Sequence, residues 1–202
     1  MKVFTIVGIF LLLANMSLAQ QLKFTDHDYE QNLSPDGKQV IFVRAIKTCP
    51  YTPETGWAPA DFDEIWSVDI NGANQRCLIK NNYSEQQDME YYLGSFNSLT
   101  WSADSKYIYF LCQNCPTNAI LYKVDRDGSN IKKLCYAHGI SGVIGGNMMD
   151  EFYGYLVLHV KKYNGDDPTR WVTILMNPEG KEVKEIENLN DFWAKHKRLK
   201  EE

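Results

Sequence analysis

The sequence predicts an all-β chain, built from about three repeats of a four-stranded antiparallel unit and closed by a short C-terminal helix. Three observations carry this expectation. One stretch recurs: residues 33–43 read Leu-Ser-Pro-Asp-Gly-Lys-Gln-Val-Ile-Phe-Val, and residues 101–111 read Trp-Ser-Ala-Asp-Ser-Lys-Tyr-Ile-Tyr-Phe-Leu. A second stretch recurs: Val68, Asp69, Gly72 and Asn74 match Val124, Asp125, Gly128 and Asn130. Between these stretches, turn residues separate runs rich in β-branched and aromatic side chains, the pattern of strands. Internal repetition of this kind marks a stacked architecture, in which each unit buries its faces against neighbours.

The N-terminus comes first. Lys2 precedes an apolar run from Val3 to Ala14, broken only by Thr5 and Gly8, and small residues follow at Ser17 and Ala19. This is the layout of a secretory signal peptide over residues 1–19, cleaved after Ala19. The run is too short for a comfortable bilayer span, so no transmembrane segment is expected after cleavage. The chain left by cleavage has 202 − 19 = 183 residues, enough for one domain with a core. A periplasmic or secreted location follows from the export signal. The net charge of −5 excludes a nucleic-acid partner, which requires a basic face. Lys195, Lys197, Arg198 and Lys200 read as a solvated helix end.

The first unit spans about 30–80. Ser34-Pro35-Asp36-Gly37 is turn chemistry, because Pro presets φ, Asp bonds its own backbone and Gly takes positive φ. A strand follows. Asp69-Ile70-Asn71-Gly72 then forms a hairpin between two further strands. The second unit, about 97–136, repeats this order, with Asp125-Arg126-Asp127-Gly128 as its hairpin. A third unit spans about 142–187, with strands over Phe152–Val160 and Trp171–Met176 and a hairpin at Asn177-Pro178-Glu179-Gly180. Gly142-Val143-Ile144-Gly145-Gly146 stands where the other units carry Ser-Pro-Asp-Gly. A helix over 190–202 follows the repeat region of 20–189, capped by Asn190 or Asp191, with Phe192, Trp193 and Leu199 as its apolar stripe. Four antiparallel strands per unit make a propeller blade, so the fold class is a partial β-propeller.

The Ser-Pro-Asp-Gly-Lys strand and the Ile65-Trp66-Ser67-Val68-Asp69-Ile70-Asn71-Gly72 strand resemble the TolB-type (WD40-like) propeller repeat. The same repeat occurs in the propeller domains of prolyl oligopeptidase-like peptidases. The resemblance covers residues 30–136 well and 142–187 poorly. It implies a six-bladed ring, of which about three blades fit here, and TolB's N-terminal α/β domain has no counterpart. Three blades leave two end faces. Three solutions stand: two chains pairing into a six-bladed ring, capping of an open array by residues 20–30 and the C-terminal helix, or a remnant of a larger ancestor.

The nearest catalytic motifs are incomplete. Gly139-Ile140-Ser141-Gly142-Val143 fails the Gly-x-Ser-x-Gly elbow at its last position. Asp61, Asp63 and Glu64 cluster after Pro59 and read as solvated loop acids. Asp125-Arg126-Asp127-Gly128 lacks the frame and distal Glu of a calcium loop. No enzyme activity and no cofactor are expected.

Five cysteines remain. Cys112, Cys115, Cys135 and His138 follow the spacing Cys-x2-Cys-x19-Cys-x2-His, which suits a tetrahedral zinc site. Export to an oxidising compartment favours disulfides instead, with Cys49 and Cys77 at comparable places in the first unit. Buried or free thiols are the third reading, and the expectation is no bound metal.

Aromatics supply the expected binding residues. Tyr51 and Trp57 lie in a loop of residues 45–63 stiffened by Pro50, Pro53 and Pro59, and Tyr91, Tyr92 and Phe96 precede the second unit. Exposed aromatics anchor protein partners. The sequence therefore points to an exported, non-catalytic scaffold binding a protein or cell-envelope component through its loops. The alternatives are an accessory propeller of a peptidase or lyase, and a metal-binding protein.

Overall fold

The computed structural model describes residues 22–48, 61–82, 93–115, 118–164 and 167–199. The expected signal peptide lies outside the described residues. Twelve strands form three four-stranded antiparallel sheets. The first holds β1 (Asp28–Leu33), β2 (Gln39–Thr48), β3 (Asp61–Asp69) and β4 (Arg76–Ile79). The second holds β5 (Phe96–Trp101), β6 (Tyr107–Cys115), β7 (Asn118–Asp125) and β8 (Lys132–Ala137). The third holds β9 (Gly139–Val143), β10 (Leu156–Asn164), β11 (Asp167–Met176) and β12 (Glu182–Glu185). Strands pair in chain order within each sheet, and β1, β5 and β9 are neighbours at the inner end of the three blades. The third blade begins at Gly139 rather than 142, because Gly139–Val143 pairs with Leu156–His159.

The repeated turns explain the repeated sequence. Ser34 Oγ accepts from the amides of Lys38 (3.1 Å) and Gln39 (3.0 Å) and donates to Asp36 Oδ1 (2.6 Å). Ser102 Oγ does the same with Lys106 (3.1 Å), Tyr107 (2.8 Å) and Asp104 (2.7 Å). Gly37 has φ 68°, and Ser105 takes its place in the second blade at φ 60°. The β3–β4 and β7–β8 hairpins repeat as closely. Asn74 and Asn130, both at φ 54°, donate to the carboxylates of Asp69 and Asp125 at 2.7 Å.

Alternation then packs the blades. Along β6, Ile108, Phe110 and Cys112 face the first blade, while Tyr109 and Leu111 face the third. A strand buried on both faces reads as a continuous apolar run, as residues 107–112 do. Trp101 and the Phe96–Phe110–Tyr122 ring cluster fill the space between the first two blades. Leu156, Leu158, Ile174 and Met176 close the second interface.

The apolar part of each end face is covered by the chain itself. Val40, Phe42 and Val68 on the first blade lie against Leu22 and Phe24. Arg44 stacks over Phe42 (5.1 Å) and Trp66 (4.7 Å), held by two bonds to Asp28 at 2.6 and 2.9 Å. On the third blade, Ile144, Val157 and Leu175 lie under helix α1 (Leu189–Lys195), which contributes Leu189, Phe192 and Trp193. Its cap is Asn188, not Asn190 or Asp191, which instead supply the amides that Asn188 Oδ1 accepts.

The chain then returns along the inner edge of the third blade. Gly145 donates to Lys197 O (2.9 Å), and Leu199 donates to Val143 O (2.7 Å). A Cβ on Gly145 would stand 2.7 Å from Leu199 Cδ1. The glycine-rich run that replaces Ser-Pro-Asp-Gly thus makes room for the returning C-terminal segment.

Candidate functional site

The two edges of the array differ in chemistry. One edge carries the tight β1–β2, β3–β4, β5–β6 and β7–β8 turns, and its polar groups are largely committed. Arg126 bridges Asp36 (2.6 Å) and Gln39 (2.8 Å) and stacks over Trp101 at 5.4 Å, and Lys106 pairs with Asp104 at 3.1 Å. An open groove of ≈ 520 Å³ here is lined by Gln39, Asp104, Lys106 and Arg126 with Arg76, Asp125 and Asp127. Its cations already have anionic neighbours, so it is a polar seam between blades.

At the other edge the long strands end. β2, β6 and β10 turn there into β3, β7 and β11, and β4 and β8 lead from it into β5 and β9. Exposed aromatics gather near this edge. Tyr136 is 54% exposed, Trp171 62% and Tyr163 69%. Basic groups accompany each. Lys133 Nζ stands 5.0 Å from the Tyr136 ring centroid, and Lys161 Nζ stands 5.7 Å from Tyr163 and 5.8 Å from Trp171. The His138 ring packs edge-on against Trp171 at 4.5 Å. Burial first, and Lys161 second, hold the His138 imidazole below its ordinary pKa. His159 Nδ1 and Thr173 Oγ1 share a hydrogen bond of 3.1 Å.

The sequence-predicted binding residues divide. Tyr51, Trp57, Tyr91 and Tyr92 lie outside the described residues. Phe96 is not a surface anchor: it is 2% exposed in the core against Phe110. The acids after Pro59 also need correction. Asp61, Asp63 and Glu64 belong to β3, and Asp63 is buried, accepting from Tyr29 Oη (2.6 Å), Ser95 N (2.7 Å) and Phe96 N (3.1 Å). It joins β1, β3 and β5. Sequence reasoning missed Tyr136, Tyr163 and Trp171. Their signal was a row alternation, with Trp171, Thr173 and Leu175 on one face and Val172, Ile174 and Met176 on the other.

The cysteine set does not assemble. Cys112 faces the first blade and bonds Gly94 O at 2.9 Å, whereas Cys135 faces the third blade beside Met176 at 3.8 Å. The side chain of Cys115 lies outside the described residues, as does Cys49. Among the described residues no three His, Cys, Asp or Glu side chains come together to hold a metal. Cys77, Cys112 and Cys135 are reduced, outside any disulfide. Burial pushes Cys112 up to about 12, and burial with Glu64 nearby does the same to Cys77. Burial raises Cys135 to about 11. Thiolate is the reactive form, so these three sites are expected to stay unlabelled by iodoacetamide in the native protein at about pH 8 and to label in urea. Peptide mass spectrometry checks this, and rapid native labelling of Cys112 would contradict its placement.

No helix among the described residues is long and apolar enough to cross a membrane. No family model and no curated protein matches the sequence. Solved structures do. The β-propeller domain of the Trilobed protease from Pyrococcus furiosus aligns at 17% identity with a TM-score of 0.51, over 81% of this chain and 44% of that one. A TolB-type protein from Agrobacterium tumefaciens aligns at 17% identity and TM-score 0.47, over 83% of this chain and 50% of that one. An acylaminoacyl peptidase aligns at 13% identity and TM-score 0.48, over 79% of this chain and 25% of that one. The chain thus spans about half or less of the length of these structures. At such identities the likeness speaks to fold: the chain is a partial β-propeller of three four-stranded blades.

Proposed function

We propose that this chain is an exported, non-catalytic propeller scaffold that holds a protein or cell-envelope partner on the edge bearing Tyr136, Tyr163 and Trp171. The observation that carries this reading is the gathering of exposed aromatic rings with Lys133 and Lys161 near one edge, while the opposite edge is saturated by its own turns. Large rigid aromatics give contact area at low entropic cost and dominate binding energies at protein interfaces. Export rests on the Val3–Ala14 run and the small residues before Gln20. The absence of a catalytic role rests on the failed elbow at Gly139–Val143. The similarity to a protease's propeller domain supports a second reading, an accessory propeller for a separate catalytic unit. Both readings place the partner on the same edge.

Site-specific photo-crosslinking in the native host tests this. A crosslinkable residue at Tyr136, Tyr163 or Trp171 is expected to capture one discrete partner outside the cytoplasm. The same residue at Lys106 or Asp127, on the turn edge, is expected to capture none. Capture from the turn edge alone would overturn the assignment.

A further inference from the structure

We infer that the outer face of the third blade, where Lys161 stands between the Tyr163 and Trp171 rings, is a platform for an acidic polysaccharide. This deepens the partner-binding reading above and rests on it.

The face changes character along its length. In an antiparallel pair, directly opposed residues share a face, and every second pair continues it. Val157 opposes Leu175, His159 opposes Thr173, and Lys161 opposes Trp171. The first row is apolar and lies under α1. The next two rows are imidazole, hydroxyl, ammonium and indole, beyond the apolar cluster that α1 closes. A surface meant for a fourth blade would carry buried apolar rows here, as the opposed Leu111 and Leu121 do on the face that the second blade turns to the third.

The uncovered rows are built rather than loose. Trp171 is held from one side by the His138 ring, at 4.5 Å and 76° between planes. His138 is itself fixed, because its amide donates to His159 O at 2.8 Å. The charges are also sorted. Lys162, on the opposite face, is taken by Glu182 (2.6 Å) and Glu185 (2.9 Å). Lys161 has no carboxylate in ion-pair range among the described residues, and two aromatic rings stand near it. An ammonium over aromatic faces keeps its charge available to an outside anion.

These features fit a chain of acidic sugars. The C–H face of a sugar ring stacks on an exposed indole or phenol, and its carboxylate pairs with Lys161. They fit an acidic peptide less well. The main-chain groups left open on this blade, on β10 beyond His159 and on β11 before Thr173, lie at the sides of the sheet, so a strand-forming acidic peptide would dock beside this face and not on it.

Calorimetric titration of the mature full-length chain at low ionic strength tests the inference. The probes are oligogalacturonate, heparin, a neutral malto-oligosaccharide and a poly-glutamate peptide. Oligogalacturonate or heparin is expected to bind, and the neutral sugar and the peptide are not. Trp171→Ala and Lys161→Gln are each expected to weaken that binding roughly tenfold or more, about 1.4 kcal/mol. Trp171 is exposed and Lys161 half-buried, and unchanged protection of Cys112 from iodoacetamide confirms that each variant is folded. The inference falls if neither acidic polymer binds, if poly-glutamate binds as well as they do, or if both variants bind like the parent. Discrete crosslinks at Trp171 without polysaccharide binding would sink this inference and leave the partner-binding reading standing. Polysaccharide binding without any crosslinked protein would support this inference and narrow the partner to an envelope polysaccharide.

Discussion

Replacing Asp63 with Ala is expected to destabilise the protein by about 3–5 kcal/mol, the usual cost of breaking a buried charged network from one side. Asp63 is 1% exposed and sits on β3, yet its three partners come from β1 and from the start of β5. Removing the carboxylate takes one partner from the Tyr29 hydroxyl and the acceptor from the amides of Ser95 and Phe96 together. Those amides set the entry of β5, which carries Phe96 into the core. The damage would therefore fall on the joint between the first two blades. Tyr29→Phe removes only one donor and is expected to cost about 1 kcal/mol. Urea denaturation followed by tryptophan fluorescence measures both. A loss below about 1 kcal/mol for Asp63→Ala would mean that water takes over the three donors.

The same residue gives a pH signature. Burial pushes the Asp63 carboxyl above its ordinary pKa, and the donors Tyr29, Ser95 and Phe96 pull it part of the way back. A group whose pKa is raised by folding contributes stability below its unfolded pKa and loses it as pH climbs through the folded value. Asp63→Asn does not titrate. The stability gap between the parent and Asp63→Asn is thus expected to narrow as pH rises from about 4 towards 7.

What the sequence made legible was local chemistry. Ser34 and Ser102 sit in turns closed by their own side chains, so four residues suffice to recognise them. Phe96 was illegible for a geometric reason. Ser98 adopts φ 53° at a bulge between Asn97 and Thr100, which shifts the strand's phase by one. Without the bulge, Phe96 would oppose the face of Leu99 and Trp101; with it, all three point into one core. The zinc spacing failed for a similar reason. Cys112 opposes Ile120 while Cys135 opposes Leu121, and that single step in register puts the two thiols on opposite faces of the sheet. Asp63 was legible in principle, since it is in phase with buried Ile65 and Ser67, but its place just after Pro59 pointed to a loop. The glycines at 142, 145 and 146 are explained only by a segment more than fifty residues later, a distance no local pattern spans.

Deleting residues 186–202 is expected to convert a monomer into an associating species and to cost about 4 kcal/mol or more of stability. Ile186, Leu189, Phe192 and Trp193 leave, and each large apolar side chain contributes about 1–3 kcal/mol when buried. Ile144, Val157 and Leu175 then face water as one patch, beside an unpaired edge at Val143–Gly145. An apolar face next to an open strand edge is the usual route to association. Light scattering on a sizing column is expected to give the mass of one chain for the parent and a larger, concentration-dependent mass for the truncation. Gly145→Val tests the tail alone, because its Cβ needs the space that Leu199 fills. It is expected to loosen residues 197–199 and leave α1 seated.

Acid is expected to loosen the cap as well. Burial alone would raise the Asp150 carboxyl, but bonds from Phe152 N and from His196 hold it below its ordinary pKa. A depressed carboxylate contributes stability above its unfolded pKa and loses it as pH falls through the folded value, so the Asp150–His196 link weakens below about pH 4. His196 packs on Phe192 at 4.5 Å and on Phe152 at 5.4 Å, and so couples that titration to the seat of the helix. Two outcomes of the truncation separate the possible histories of the fold. A discrete dimer would mean that the bared face still matches a blade surface and that the cap holds back ring closure. Polydisperse aggregates would mean that the face has diverged to suit α1 and no longer matches a blade surface.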